Sequence, residues 1–387
     1  MIGRRQLLAT GGALGLSAIP RLGRARSPTR VVVVGAGIIG ASVAYHLQSY
    51  GAAVTILEKS QPASGTSRNS FAWLNAFSKT PQSYYMLNLM GILDWHRLQQ
   101  EIGPKLEIQW GGGIAWHGTA PGEIQKMRAT LARLQEWGYP IGEIGRADLL
   151  GLLPGVDPGP FGAAWRSSID GTFDPVATTH TLVDAATTKG AVLRTGVSVT
   201  GFDIQDGRIA GVKTTQGLVA ADAVVLAMGN DAPPIAAMAD IKLPLKRSRG
   251  VLAHTAPMPQ IFSRVVMPPD CDIKQNPDGR IVTGSNFGDS GDLAPSPEVG
   301  QRFLDRLHQY FPKMPKPKLD YMTLGYRVLP VDGHPVVGRA SAFGNVHVAS
   351  MHSGMTMAPV IGRLLAIEVL DNVETPFLAD YRPGRFA

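Results

Sequence analysis

Gly35-Ala36-Gly37-Ile38-Ile39-Gly40, with Glu58 eighteen residues further on, is a spacing suited to capturing a ribose and its pyrophosphate. Gly35 permits a tight turn, Gly37 lets bare backbone approach phosphate, and Gly40 lets a helix lie close to a strand. The helix that starts at about Ile38 adds unpaired N–H groups, which stabilise a phosphate. Glu58 can accept hydrogen bonds from a ribose diol. NAD and FAD share that ribose and pyrophosphate, so the motif alone leaves the choice between them open.

Such residues act only where secondary structure holds them in register. Val31 to Val34 is a continuous β-branched run, as in a strand buried on both faces of a parallel sheet. A helical stretch through Leu47 follows, Gly51 offers a left-handed stop, and Val54 to Leu57 forms a second strand ending at Glu58. Val224 to Leu226 reads as another buried strand, whose exit at Gly229-Asn230 can bring backbone near a ligand. Asp206-Gly207 is a two-residue hairpin turn. Val346 to Ala349 reads as a strand and His352-Ser353-Gly354 as a turn. Thr356 then caps a helix to about Leu370, with Pro359 in its first turn.

Four longer segments resemble the superfamily of FAD enzymes that contains D-amino-acid oxidase, glycine oxidase and sarcosine oxidase. "SGTSRNSFAWLNA" is similar to its glycine and serine/threonine loop after the second strand. "SSIDGTFDPVATTHTLVDAATTKGAVLRTGVSVTGF" resembles its Asp-Pro segment, helix, and the strand and bend that reach the adenine. "GRIAGVKTTQGLVAADAVVLAMGNDAP" and "GYRVLPVDGHPVVGRASAFGNVHVASMHSGMTMAPVIGRLLAIEVL" resemble its returning strand and its C-terminal signature.

The resemblance implies an α/β + β fold. A Rossmann-like FAD-binding domain would use residues 28–82, 145–232 and 322–387. A discontinuous substrate-binding domain would use 83–144 and 233–321, built on an antiparallel β-sheet. It also implies cofactor contacts at Ser67, Arg68, Asn69, Val197 and Gly229 and at the turn His352, Ser353, Gly354 and Met355, with Met351 to Met355 lining the isoalloxazine. A helix start at that turn would stabilise negative charge at the flavin's pyrimidine edge. Ser67-Arg68-Asn69 and Gly325 stand where members with covalent flavin have a histidine or a cysteine, so FAD is expected to be non-covalent.

Arg327 falls where glycine oxidase and D-amino-acid oxidase place the arginine that grips the substrate carboxylate. Its planar fork makes two parallel charge-assisted bonds there. The implied reaction is oxidative deamination or demethylation of a D-amino acid or N-alkyl amino acid, with hydride passing from the α carbon to flavin N5. His352 is the second catalytic candidate, as proton acceptor, substrate orienter or ring partner. Phe71, Trp73, Tyr321 and Tyr326 are either pocket or core. Electrons would pass to oxygen or a respiratory acceptor. Sarcosine oxidases place a lysine over the flavin to help oxygen react, and "GRIVTGSNFGDSGD" offers no counterpart, which favours a dehydrogenase. An NAD-dependent dehydrogenase and a non-catalytic flavin-binding protein are the alternative readings.

Composition narrows the partners. The net charge is +7, but the first 27 residues hold five arginines and no acid, so 7 − 5 leaves +2 for the remainder. No basic stripe for nucleic acid remains. The apolar run Leu7 to Ile19, 13 residues broken by glycines, is too short for a permanent membrane span. Residues 1–27 instead have the layout of a secretory leader, and Arg4-Arg5-Gln6-Leu7-Leu8 resembles a twin-arginine signal. That implies a periplasmic or secreted protein, exported already folded around its dinucleotide. One cysteine, Cys271, cannot form an internal disulfide, and the nine scattered histidines support no metal site. Replacing Arg4 and Arg5 with Lys is expected to retain the protein in the cytoplasm, as read by cell fractionation; unchanged export would overturn the leader assignment.

Overall fold

The computed structural model describes residues 27–285, 290–291, 293–340 and 343–387. The leader expected over residues 1–27 therefore lies almost wholly outside the described residues. Strand β1 (Arg30–Val34), helix α1 (Ile38–Ser49) and strand β2 (Ala53–Leu57) form the expected strand-helix-strand unit. The strands run parallel, with Val31 beside Val54 and Val34 beside Leu57. Around them a six-stranded sheet has the order 336–339, 346–350, 223–226, β1, β2, 192–194. Only its first pair is antiparallel. β1 sits near the middle and is apolar on both faces, which is why Val31 to Val34 are all buried.

The second sheet has eight strands, in the order 319–326, 249–255, 281–284, 272–275, 265–267, 113–117, 163–167, 141–144. It is antiparallel except where Val265–Met267 runs parallel to Gly113–His117, the seam between two distant chain segments. Its membership differs from the expected boundaries. Ala163–Ser167 pairs on both edges inside this sheet, and Leu149 and Leu153 pack under it, so residues 145–167 go with the second unit. Leu319–Tyr326 also belongs there, hydrogen-bonded along its length to Arg249–Thr255. Helix α2 (Gln82–Ile102), expected in the second unit, packs instead with α1 and the C-terminal helix on the first sheet. Its apolar residues Leu87, Trp95 and Leu98 join that core, while Tyr85 and Ile92 on the same helix pack with Trp165, Val265 and Met267 of the second sheet, because the helix is apolar on two sides.

The C-terminal helix runs Gly354–Asp371 and starts two residues before the expected Thr356 cap. Ser353, left-handed at φ +57, occupies the cap position, and Thr356 instead accepts from the Asn75 N–H at 3.3 Å. Pro359 lies inside this helix and has no N–H to offer the Met355 carbonyl four residues back. The indole of Trp95 on α2 donates to that carbonyl instead, at 2.8 Å. A helix defect is thus filled by a side chain from another helix, which fixes their register at the site's floor. Trp95→Phe is expected to cost about 1–3 kcal/mol by denaturant unfolding, since it leaves a buried carbonyl unpaired. Adding Pro359→Ala, which restores an N–H, should recover part of that loss; no recovery would remove the assigned role of the indole.

Candidate active site

The two sheets face one cavity of about 1190 Å³. That exceeds the roughly 300–1,000 Å³ of an ordinary small-molecule pocket and suits a dinucleotide with a substrate beside it. At one end Gly35 has φ +101, and a Cβ there would stand 2.5 Å from the Ala227 carbonyl oxygen. A Cβ on Gly40 would stand 1.9 Å from the Gly35 oxygen. Only glycine fits either place, and the result is a turn of bare backbone on the cavity wall. Gly37 and Ile38 line it, while Gly40 is buried beneath.

The turn is fastened by side chains. The Glu58 carboxylate accepts from the N–H groups of Ala36 and Ser60, both at 2.9 Å. Two of its roughly four acceptor positions are then left for a ribose. Ser67 accepts from the Ile38 N–H at 3.0 Å and so caps α1 from a separate loop. Ser67 and Asn69 line the cavity, whereas Arg68 is exposed and is not on its wall. The Val197 N–H donates to the Glu58 carbonyl at 3.0 Å, bringing that residue to the wall as well. Gly229, at φ +58, begins a short 3₁₀ turn beside it.

The C-terminal turn lines the same cavity, with the Ile39 side chain 3.4 Å from where a Cβ on Gly354 would stand. Met351 to Thr356 all line the cavity. The first intrahelical bond there is Met357 N–H to the Ser353 carbonyl, so the N–H groups of Gly354, Met355 and Thr356 precede it at the wall. Burial, with the charges of Lys79 and Arg327, pushes the His352 imidazole down to about 3. It is neutral at physiological pH. Arg327 follows the strand Leu319–Tyr326, lines the same cavity, and is oriented by Ser248, whose carbonyl takes its N–H at 2.8 Å and whose hydroxyl takes its guanidinium. Phe71, Trp73 and Tyr326 are on the wall. Tyr321 is exposed and stacks on His254 at 4.3 Å, so it is neither pocket nor core.

Three residues at or behind this wall were given no role by the sequence. Asp170 is fully buried and accepts from Tyr139 at 2.5 Å, from Ser167, and from the Trp73 indole at 2.7 Å. Burial raises it to about 6 despite these donors. Trp73 is thereby held by a carboxyl behind it. Lys274 donates to the Phe173 carbonyl at 2.6 Å, and its ammonium lies 5.8 Å from the Phe71 ring centroid. Burial pushes it down to about 7. It is one strand upstream of the stretch in which the sequence offered no lysine. Lys79 also lines the cavity.

These residues fit a dinucleotide: a bare-backbone cradle, an acid with acceptor positions to spare, and a second helix start on the same cavity. The fold and site define a dinucleotide-dependent oxidoreductase with its cofactor across the carboxyl ends of parallel strands. Residues 30–367 match the profile of the DAO family, FAD dependent oxidoreductase, and the chain belongs to that family. Its cofactor is FAD, which removes the NAD alternative. The chain is 28% identical over 378 residues to the uncharacterized oxidoreductase YurR of Bacillus subtilis (strain 168), covering 91% of this chain and 98% of that one. It is 26% identical to the 4-methylaminobutanoate oxidase (formaldehyde-forming) of Paenarthrobacter nicotinovorans, covering 87% of this chain but only 43% of that protein's length. The crystal structure of glycine oxidase from Geobacillus kaustophilus shares the fold, with a TM-score of 0.82 at 23% identity over 92% of this chain and 98% of that one.

The electrostatics of His352 lead to a spectroscopic expectation. The His352 resonance, assigned by its disappearance in His352→Gln, should not titrate between about pH 5 and pH 8, because its folded value lies far below the ordinary ~6.5. Titration near neutrality in NMR would contradict the buried, cation-flanked setting.

Proposed function

We propose that the protein oxidises an amino acid or N-alkyl amino acid at the carbon beside the amine, with non-covalent FAD. The observation that carries this reading is Arg327, oriented by Ser248 on the same wall as the Met351–Thr356 turn. Bound FAD supplies the two-electron acceptor for the hydride that leaves that carbon. Gly35, Gly37, Glu58 and Ser67 would hold its adenosine and pyrophosphate end, and the Gly354 helix start its ring end. The Arg327 fork would take the substrate carboxylate in two parallel bonds, which turns the adjacent C–H into a fixed direction.

His352, neutral in this setting, would orient the substrate amine or accept its proton without adding charge beside Arg327. Trp73, braced by Asp170, and Phe71 form apolar walls that exclude water. The names of relatives, an amine oxidase among them, agree with this class of reaction.

Purified protein should show flavin absorbance near ~450 nm and lose it under anaerobic mixing with a D-amino or N-methyl amino acid. Arg327→Leu is expected to lower kcat/KM for that substrate by roughly 10- to 100-fold, the worth of a hydrogen-bonded charge pair. An unchanged kcat/KM would rule out the carboxylate clamp.

A further inference from the structure

The cavity carries more positive charge than one carboxylate requires. Lys79 lies in the segment between the short strand Trp73–Leu74 and α2, directly after Ser78, whose φ of +54 bends the chain in the left-handed region. Lys79 lines the cavity and is partly buried, with its ammonium 5.9 Å from the centroid of the Tyr84 ring. Tyr84 in turn donates to the Ser353 hydroxyl at 3.2 Å, which puts Lys79 beside the C-terminal turn.

Among the described residues no carboxylate forms an ion pair with Lys79. Three carboxylates among the described residues line the cavity: Glu58, which accepts from the Ala36 and Ser60 N–H groups, Asp231, paired with Lys59 at 2.8 Å, and Asp272, and none of them pairs with Lys79. Burial is the influence on the Lys79 ammonium and pushes it down to about 8, so it keeps its charge at neutral pH. A cation held out of water without a counter-ion is unfavourable, and proteins keep one where a ligand completes the pair. Both Lys79 and Arg327 line the cavity with His352 and act on its imidazole, so the two cations share one neutral neighbour.

We propose that the substrate is an amino acid with two carboxylates, one gripped by Arg327 and the second by Lys79. The inference rests on the reading of Arg327 given under the proposed function. The second carboxylate belongs either to an N-carboxyalkyl group or to the side chain, and both present the same anion to the ammonium. The neutral His352 beside the cations adds no third charge where the amine of such a substrate would lie.

The test uses the purified FAD-bound enzyme and follows flavin bleaching without oxygen. Iminodiacetate is compared with its monoamide, and D-glutamate with D-glutamine, in wild type, Lys79→Met and Lys79→Arg. Each variant is first checked for bound flavin near ~450 nm. In wild type one dicarboxylate should exceed its amide partner in kcat/KM by about 10-fold or more, and the pair that shows this locates the second carboxylate. Lys79→Met should abolish the preference, chiefly by a drop of about 10- to 100-fold for the dicarboxylate, and Lys79→Arg should keep it. Equal rates within both pairs in wild type would overturn the proposal. So would an equal loss on both partners in Lys79→Met, the result expected if Lys79 acts on the flavin. Bleaching by D-alanine or N-methylglycine with no dicarboxylate preference removes only the second-carboxylate inference. Bleaching by none of these compounds removes the Arg327 reading, and this inference falls with it.

Discussion

The approach of backbone to backbone at Gly35 governs how the rest of the cavity can be built. With the Ala227 carbonyl 2.5 Å from where a Cβ would stand, the strand at Ala223–Leu226 and β1 end side by side, and their exits diverge around one opening. Glu58 then ties the turn to the end of β2 through the Ala36 and Ser60 N–H groups. Ser67 ties the start of α1 to the following loop. Each fastening uses a polar group that would otherwise be buried unpaired, so closing the turn and satisfying its hydrogen bonds are the same event.

Around that opening the wall is assembled from chain segments far apart in sequence. The two sheets contribute opposite sides, and the loop from Ser64 to Asn75 runs between them. Its contacts go both ways. Thr66 donates to the Tyr326 carbonyl at 3.0 Å on the second sheet's edge strand, and Ser67 reaches α1. The packing at Gly325, where a Cβ would stand 2.6 Å from the Asn69 side chain, shows how little slack the loop has. A loop pinned at both ends positions Phe71 and Trp73 as walls, and Asp170 holds the Trp73 indole from behind.

What was legible in the sequence was local. The β-branched run, the three glycines and Glu58 are neighbours along the chain, and their spacing states the strand, turn and helix without help from distant residues. The Asp206-Gly207 hairpin was legible for the same reason, and both residues take positive φ, +50 and +71. The placement of α2 was not legible, since an apolar face does not name its partner; Leu87, Trp95 and Leu98 suited either unit. The start of the C-terminal helix was misplaced because a left-handed Ser353 ends the preceding turn, and no residue type announces that conformation. Arg68 stood within a run of cofactor-like residues yet faces outward, a matter of side-chain direction that spacing does not carry. Lys79 and Lys274 belong to no motif, and Asp170 stands in a quoted segment that gave it no role. Their meaning comes from burial and from what faces them, which only the folded chain supplies.

The pairing of the Trp95 indole with the carbonyl that Pro359 leaves open has a consequence for biosynthesis. The strand from Val346 and the helix from Gly354 come after every other strand and helix of the cavity wall in the chain, yet they line the cavity and cover α2. Until they emerge, Trp95 and its apolar neighbours face water and the Met351–Thr356 turn does not exist. The cavity is consequently complete only once residues 346–371 have packed against elements made about 260 residues earlier in the chain, a contact between distant segments that is slow to form.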